Sequence, residues 1–362
     1  NLSGGKRIDP EMGSMKVAVY HRNDDIRLEE RERPSISNGE LLVRVEASGI
    51  CGSDVMEWYR QPQAPLVLGH EISGIVESVG EGVTDFAVGD RVCTTHHVPC
   101  GNCRDCRRGS QHVCETLHRT RFDPGGFSEF VRLPEINVRL GTFKLPNDVS
   151  FVQASFVEPL ACVIRGQRLA SVGVDSDDSV LVLGSGISGI LHLQWAGSRG
   201  IKRLFAADVH PYRMEMATRF SAQRVFDARD PIVDAVRDAN NGRLVDRVVI
   251  CTGADAAFAQ ALRLVAPGGS ILVFATPAPG RNADLPLNDL WKRGISLVFS
   301  YAGPPTEMRQ ALDAIATREI DVDGMVSHRL SLAETGQGFQ LTANAGESLK
   351  VIVEPHRLHP RR

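Results

Sequence analysis

The stretch SVLVLGSGISGILHLQWAGSR, residues 179–199, restricts the possible folds more than any other part of the chain. Val180 to Leu183 is a short unbroken apolar run, the pattern of a strand buried on both faces. Gly184, Gly186 and Gly189 then form G-x-G-x-x-G, and a helical pattern follows. A strand, a glycine turn and a helix in that order give this motif its meaning. Gly184 permits a tight turn, Gly186 lets backbone approach a pyrophosphate, and Gly189 lets the helix pack closely on the strand.

A second apolar run, RLFAAD at 203–208, ends in Asp208, nineteen residues after Gly189. An acid there accepts hydrogen bonds from the adenosine ribose and repels a 2′-phosphate, which favours NAD over NADP. Arg213 complicates this, since it can pair with Asp208, stack on adenine or accommodate a phosphate. QRVFDA at 223–228, VDRVVICTG at 245–253 and GGSILVFATP at 268–277 continue the strand pattern, with helical AAFAQALRLVAP at 256–267 between the last two. Alternation over 159–299 predicts a doubly wound parallel sheet, an α/β class. Its expected cofactor contacts are Gly184, Gly186, Ile187, Ser188, Gly189, Asp208, Arg213, Thr252, Phe274 and Phe299.

Residues 15–150 carry short strands and frequent turn signals, as in GELLVRVEASG and GGFSEFVRLP, and read as mainly β. The C-terminal part predicts about two helices and a last strand, returning to the first domain and making it discontinuous, 15–158 with 300–362. The first fourteen residues, NLSGGKRIDPEMGS, have no apolar h-region. They read as a vector-derived tail rather than a signal peptide, with Met15 as the natural start. That implies a cytoplasmic, reducing compartment in which structural disulfides are rare. A net charge of −3 points to no nucleic-acid partner, and no apolar run approaches the roughly 18 residues that span a bilayer.

Cys100, Cys103, Cys106 and Cys114 follow C-x2-C-x2-C-x7-C. Four thiolates on a short loop match tetrahedral structural zinc, with an iron–sulfur cluster as the alternative metal. Gly101 and Gly109 let the loop curl, and Arg104, Arg107 and Arg108 offset its negative charge. Upstream, GICGSDV at 49–55 and LGHEISGIVESVG at 68–80 place a thiol, an imidazole and a carboxylate at Cys51, His70 and Glu71. Mixed ligands with one position open are the pattern of catalytic zinc. Glu158 in FVEPLACVIRG is an acid in an apolar stretch, costly unless paired or metal-bound. It also suits a helix N-terminus, with Pro159 beside it.

The succession CGSD, GHE, four-cysteine loop, EPLA and GxGxxG resembles the zinc-dependent medium-chain dehydrogenases over essentially all of residues 15–355. CGSDV and EPLA carry a closer similarity to the polyol (sorbitol-like) and threonine dehydrogenase branch. The resemblance implies a GroES-like catalytic domain, a Rossmann domain, a cleft holding zinc and nicotinamide, and a homodimer or homotetramer. It assigns Cys51 and His70 as zinc ligands. Glu71 is a ligand or stands behind one, and Glu158 is the third protein ligand or the acid on the zinc-bound water. Cys162, one turn later, competes for that last role. Ser53 matches the hydroxyl that meets the substrate oxygen, accepting its proton and passing it outward.

Two departures stand out. Many members carry a histidine that ends the proton relay where this chain has Met56, and methionine carries no proton. Sorbitol-type members often show Arg-Tyr after the last Rossmann strand, where this chain has Ser300-Tyr301. The substrate wall is expected to include Trp58, Tyr59, Phe127 and Tyr301. The implied reaction is oxidation of a secondary alcohol (a polyol, cyclic polyol or amino-alcohol) to the ketone by NAD. The alternatives are NADP dependence and a reductase acting on an aldehyde or activated alkene.

Overall fold

The computed structural model describes residues 13–175 and 177–357. The proposed vector tail lies outside the described residues except for Gly13 and Ser14, and Ser14 opens the first strand. Strand β1 (Ser14–Arg22) pairs antiparallel with β2 (Asp25–Glu32). Strand β3 (Leu41–Gly49) is followed by β4 (Leu66–Val67), which closes the other side of β1, and by β5 (Glu71–Val79). Short strands β6 (Arg91–Thr94), β7 (Phe130–Leu133) and β8 (Thr142–Lys144) complete this part of the chain.

The β3–β5 pairing positions the chemistry. Gly49, the last residue of β3, faces Glu71, the first of β5. The segment leaving β3 and the segment entering β5 therefore emerge side by side, which brings Cys51 to His70. Gly49 has no room for a side chain, because a Cβ there would fall 2.1 Å from a Glu71 carboxylate oxygen. Gly69 has φ +95° and stands 2.8 Å, measured from a built Cβ, from the Phe127 amide nitrogen. Only glycine combines that backbone with that approach.

The second unit is a parallel six-stranded sheet. Its strands are β9 (Ser179–Leu183), β10 (Arg203–Asp208), β11 (Arg224–Asp227), β12 (Val245–Ile250), β13 (Val265–Val273) and β14 (Ser296–Phe299). Their spatial order is β11-β10-β9-β12-β13-β14. The order reverses between β9 and β12, and the crevice at the carboxyl ends there is where such sheets bind ligands. All five residues of β9 are buried, as the apolar run requires. The helix expected to reach residue 267 stops at Leu264. Val265 already pairs with Val245 of β12, and Pro267 has no amide hydrogen to continue a helix.

The chain then returns to the first unit through the helix Pro305–Ala316, strand β15 (Val326–Ser331), the helix Thr335–Asn344 and strand β16 (Lys350–Glu354). Strand β15 exceeds the one final strand expected from sequence. Its SHR segment is only partly buried and lacks the apolar alternation that marks a strand. Strand β16 lies between β15 and β3. Val17, Val19, Ile50, Phe127, Phe339, Val351 and Val353 form the core that β1 shares with the larger sheet. The second unit comprises Pro159–Gly303 and Thr317–Asp321. The latter segment is tied in by Gln194, whose Nε2 donates to the Asp321 carbonyl at 3.0 Å and whose Oε1 accepts from the Asp321 amide at 2.8 Å.

Candidate metal and cofactor sites

The four cysteines of the loop converge. Cys100 Sγ lies 3.9 Å from Cys106 Sγ and 3.7 Å from Cys114 Sγ. A disulfide requires about 2.05 Å. Sulfurs held 2.3 Å from a tetrahedral zinc would be about 3.8 Å apart. Backbone amides of Cys100, Cys103 and Cys106 donate to the sulfurs of Cys114, Cys100 and Cys103 at 3.4, 3.4 and 3.5 Å. Burial raises the Cys114 thiol, but donation from backbone amides outweighs it and leaves the thiol below its ordinary range. Backbone donors likewise lower the Cys100 thiol, whereas burial and the neighbouring thiols push Cys106 up to about 12, so the loop fits zinc by its sulfur spacing and by stabilised thiolates at Cys100 and Cys114.

Cys51, His70 and Glu71 form a second group, with one ligand atom of each lying within 4.8 Å of the others. The Ser53 amide and hydroxyl both reach Cys51 Sγ at 3.4 Å. Asp54, fully buried, accepts from the Cys51 amide at 3.0 Å and places Oδ1 3.4 Å from His70 Nδ1. A carboxylate on one ring nitrogen orients a metal-binding histidine and leaves the other nitrogen for the ion. Burial works to lower the His70 pKa, and the Asp54 and Cys51 charges overcome it and raise it well above the usual value. The Glu71 carboxylate pairs with Lys350, which is itself buried and also donates to the Ile50 carbonyl at 3.2 Å. A thiol, an oriented imidazole and a carboxylate form a donor set that fits zinc.

Glu158 falls in a third group, one ligand atom each of Glu158, His96 and His97 lying within 4.8 Å of one another. It does not join the Cys51 trio, and Cys162 belongs to none of the three groups among the described residues. The His96 ring lies 4.7 Å from His70 and 3.6 Å from His97, centroid to centroid. Burial holds both new histidines below the ordinary imidazole range, His97 at about 3, with His70 and Arg60 adding to the effect. They stay neutral at neutral pH.

In the second unit, a groove of about 530 Å³ is lined by Gly184, Gly186, Asp208, Arg213 and Thr252. Gly184 has φ +94°, and a Cβ on Gly189 would stand 2.0 Å from the Gly184 carbonyl oxygen. Gly186, which lines the groove, precedes the helix Ile187–Ser198, and Ile187 and Ser188 form the first turn of that helix. Asp208 accepts from the Ser185 amide at 2.7 Å and the His210 amide at 2.9 Å. Each of its oxygens retains acceptor capacity for a ribose hydroxyl. The Arg213 guanidinium lies 3.7 Å from the position a Cβ on Gly186 would take. Glycine turn, helix N-terminus and acid together fit a dinucleotide.

The remaining expected positions divide. Trp58 and Tyr59 are substantially exposed and 5.7 Å apart by ring centroid. Phe127, expected on the substrate wall, is instead a core residue, 1% exposed and 5.7 Å from the Phe339 ring. It sits in the core with Val17, Val19 and Phe339, where its ring is shut off from any pocket. Tyr301 belongs to the second unit and is partly exposed. Phe274 packs edge-on against His192 at 4.6 Å, and Phe299 lies exposed on strand β14. Sequence reading missed Asp54, Arg60, His96, His97 and Lys350. Asp54 stood in the quoted CGSD, and Lys350 was a lone charge in the apolar SLKVIV, the same signal that exposed Glu158.

Comparison with known proteins fits this geometry. Residues 37–146 match the family model "Alcohol dehydrogenase GroES-like domain", and residues 188–317 match "Zinc-binding dehydrogenase". L-threonine 3-dehydrogenase of Bacillus velezensis is 31% identical over 358 residues, covering 95% of this chain and 99% of the relative. The chain belongs to the zinc-dependent medium-chain dehydrogenases. It is accordingly an NAD(P)-linked oxidoreductase of the polyol and threonine dehydrogenase branch. Sorbitol dehydrogenase of Bacillus subtilis is 28% identical, covering 95% of this chain and 98% of that enzyme. Among solved structures, a zinc-binding dehydrogenase of Sinorhizobium meliloti 1021 bound to NADP superposes with a TM-score of 0.84 at 28% identity, over 95% of this chain and 100% of the other. The alcohol dehydrogenase of Thermus sp. ATN1 gives 0.83 at 28% identity, over 94% and 99%. No helix among the described residues is long and apolar enough to cross a membrane.

Proposed function

We propose that this chain oxidises a secondary alcohol, of the polyol, cyclic polyol or amino-alcohol class, to the ketone with NAD. The observation that carries the reading is the convergence of Cys51, His70 and Glu71 around an imidazole that Asp54 orients. These three residues would hold the catalytic zinc, with Glu158 in the adjoining group of His96 and His97, and Cys100, Cys103, Cys106 and Cys114 would hold the structural one. Held there, zinc would act as a Lewis acid that acidifies an oxygen bound to it, as it does water, from about 16 to about 7, and the nicotinamide would supply the hydride acceptor.

The protein's own residues do the rest. Cys51 and His70 fix one end of the site, and Lys350 neutralises Glu71 so that the acid does not repel charge developing on oxygen. Ser53 presents its hydroxyl beside the Cys51 sulfur, where the reacting oxygen would lie. Asp208 and the Gly184–Gly189 turn would hold the adenosine ribose and the pyrophosphate. Arg213, over the glycine turn, is the observation that keeps NADP as a second reading.

In this reading residues 15–158 with 300–362 act as the GroES-like catalytic domain and 159–299 as the NAD domain, in a cytoplasmic enzyme. The assembly is a homodimer or homotetramer in which edge strand β14 meets a second copy. Exposed Leu287, Trp291 and Phe299 support that choice. Elemental analysis should return two zinc per chain. Polyols, inositols and amino alcohols should be screened by NADH absorbance. Cys51→Ala or His70→Ala should abolish turnover while NADH binding, read by fluorescence, persists. Full activity in either metal-depleted variant would sink the reading.

A further inference from the structure

Ser53 carries a partner that the sequence did not announce. Arg60 Nε donates to the Ser53 carbonyl at 3.0 Å, and Arg60 Nη2 donates to Ser53 Oγ at 3.1 Å. The same Nη2 lies 3.5 Å from Asp54 Oδ1, and the guanidinium sits 4.5 Å from the Tyr59 ring centroid. The Arg60 side chain is only 14% exposed. The guanidinium is therefore clamped between a serine, a buried carboxylate and an aromatic face.

Hydrogen-bond bookkeeping then fixes the role of the hydroxyl. A guanidinium has five donors and no acceptor, and it stays protonated in proteins. A serine hydroxyl has one proton and two lone pairs. Arg60 occupies one lone pair, so the Ser53 proton must point away from Arg60. The acceptor in reach is Cys51 Sγ at 3.4 Å, a weak one, which an oxygen placed beside it would outcompete. A proton arriving at Ser53 cannot continue through Arg60, and Met56 offers no site for it either.

We propose that Arg60 is a positioning residue that holds the Ser53 hydroxyl as a hydrogen-bond donor to the reacting oxygen. Its fixed charge stabilises the negative charge developing there, in place of a proton relay through Ser53. The proposal rests on the reading of Cys51, Ser53 and His70 as the reaction centre. The balance of the reaction is unchanged. The alcohol O–H bond breaks with its proton passing to water, and the C–H bond breaks with its electron pair passing to the oxidised nicotinamide. Arg60 and Ser53 exchange no proton.

The test compares Arg60→Met, Arg60→Lys, Ser53→Ala and the Arg60→Met/Ser53→Ala double variant in the zinc-loaded enzyme, using the best alcohol of the polyol panel. Arg60→Met should lower kcat about tenfold or more, with the KM for the alcohol and NADH binding nearly unchanged. Added guanidinium ion, but not urea, should restore part of the loss. Arg60→Lys keeps the charge but not the two-point grip, and should fall between. The double variant should lose no more than the worse single one. Unchanged kcat in Arg60→Met, losses that multiply in the double variant, or absence of guanidinium rescue would overturn the proposal. If no alcohol yields NADH in the wild type, the parent reading fails and a second measurement decides the Arg60 contact. With 15N-arginine labelling, the Arg60 Nη resonances should be resolved in the wild type and broaden in Ser53→Ala. Resonances that Ser53→Ala leaves unaltered would overturn it.

Discussion

Lys350 and Glu71 show what single residues contribute to the site. Both are buried, and a Cβ at Gly49 would stand 2.1 Å from Glu71 Oε2 and 2.8 Å from Lys350 Nζ, so residue 49 leaves no space for a side chain. Removing one partner of such a pair strands the other charge and costs about 3–5 kcal/mol, whereas replacing both with apolar groups is far milder. Lys350→Met should therefore destabilise the protein by about that amount, and Lys350→Met with Glu71→Leu should recover most of it, by urea unfolding of the metal-free protein. A double variant whose loss equals the sum of those of Lys350→Met and Glu71→Leu alone would show that the pair is not coupled. At this scale the sequence was partly legible. Cys51, His70 and the loop cysteines carry their chemistry in their identity and spacing. His96, His97 and Arg60 do not, because only the folded chain brings them to His70 and Ser53. Phe127 misled for the opposite reason, since an aromatic residue reads alike on a pocket wall and in a core.

Elements turn those residues into sites, and two of them can be tested directly. The four-cysteine loop has sulfur ligands but little apolar core of its own, so metal would substitute for packing. Cys100→Ser should lower the thermal midpoint and release zinc before it lowers kcat. A folded variant that loses turnover at unchanged stability would mean the two zinc sites have been assigned in reverse. The helix Ile187–Ser198 carries a different constraint. His192, fully buried, accepts from Gln167 Nε2 on Nδ1 at 3.0 Å and turns its ring edge to Phe274. Burial lowers its pKa to about 3, so the folded state refuses a proton that the unfolded chain takes up near pH 6.5. Its contribution is complete above about pH 6.5 and falls as pH drops toward 3, by about 1.4 kcal/mol per unit. His192→Leu should flatten that slope between pH 6.5 and 5 in urea midpoints, even if it starts less stable. An unchanged slope would place the acid sensitivity elsewhere. Strand–turn–helix periodicity makes these elements readable from sequence, whereas β15 is hidden because its SHR segment is half-exposed and shows no alternation.

At the scale of the whole molecule, the returning C-terminal segment explains why the pattern of the sequence changes twice along the chain. Alternating strands and helices end near residue 299, and the chain rejoins the mainly-β unit through β15 and β16, the latter beside β3. What pattern could not supply is the state of the open edge of the second unit. Strand β14 ends the parallel sheet with one side unpaired among the described residues. Phe299 on this strand is 66% exposed, and Trp291 and Leu287 on the helix that leads into it are 77% and 69% exposed. An unpaired edge with apolar side chains invites pairing with another chain, and natural monomers protect such edges with charge or cover. A two-fold contact between identical edges satisfies both the backbone groups and the apolar patch, and it closes without propagating. The wild type should therefore run above the 39.5 kDa chain mass in light scattering at micromolar concentration. Trp291→Glu with Leu287→Glu should shift it toward the monomer while the four-cysteine loop keeps its zinc. A wild type that stays monomeric at all accessible concentrations would leave β14 a solvated edge and remove the self-association from the proposed function.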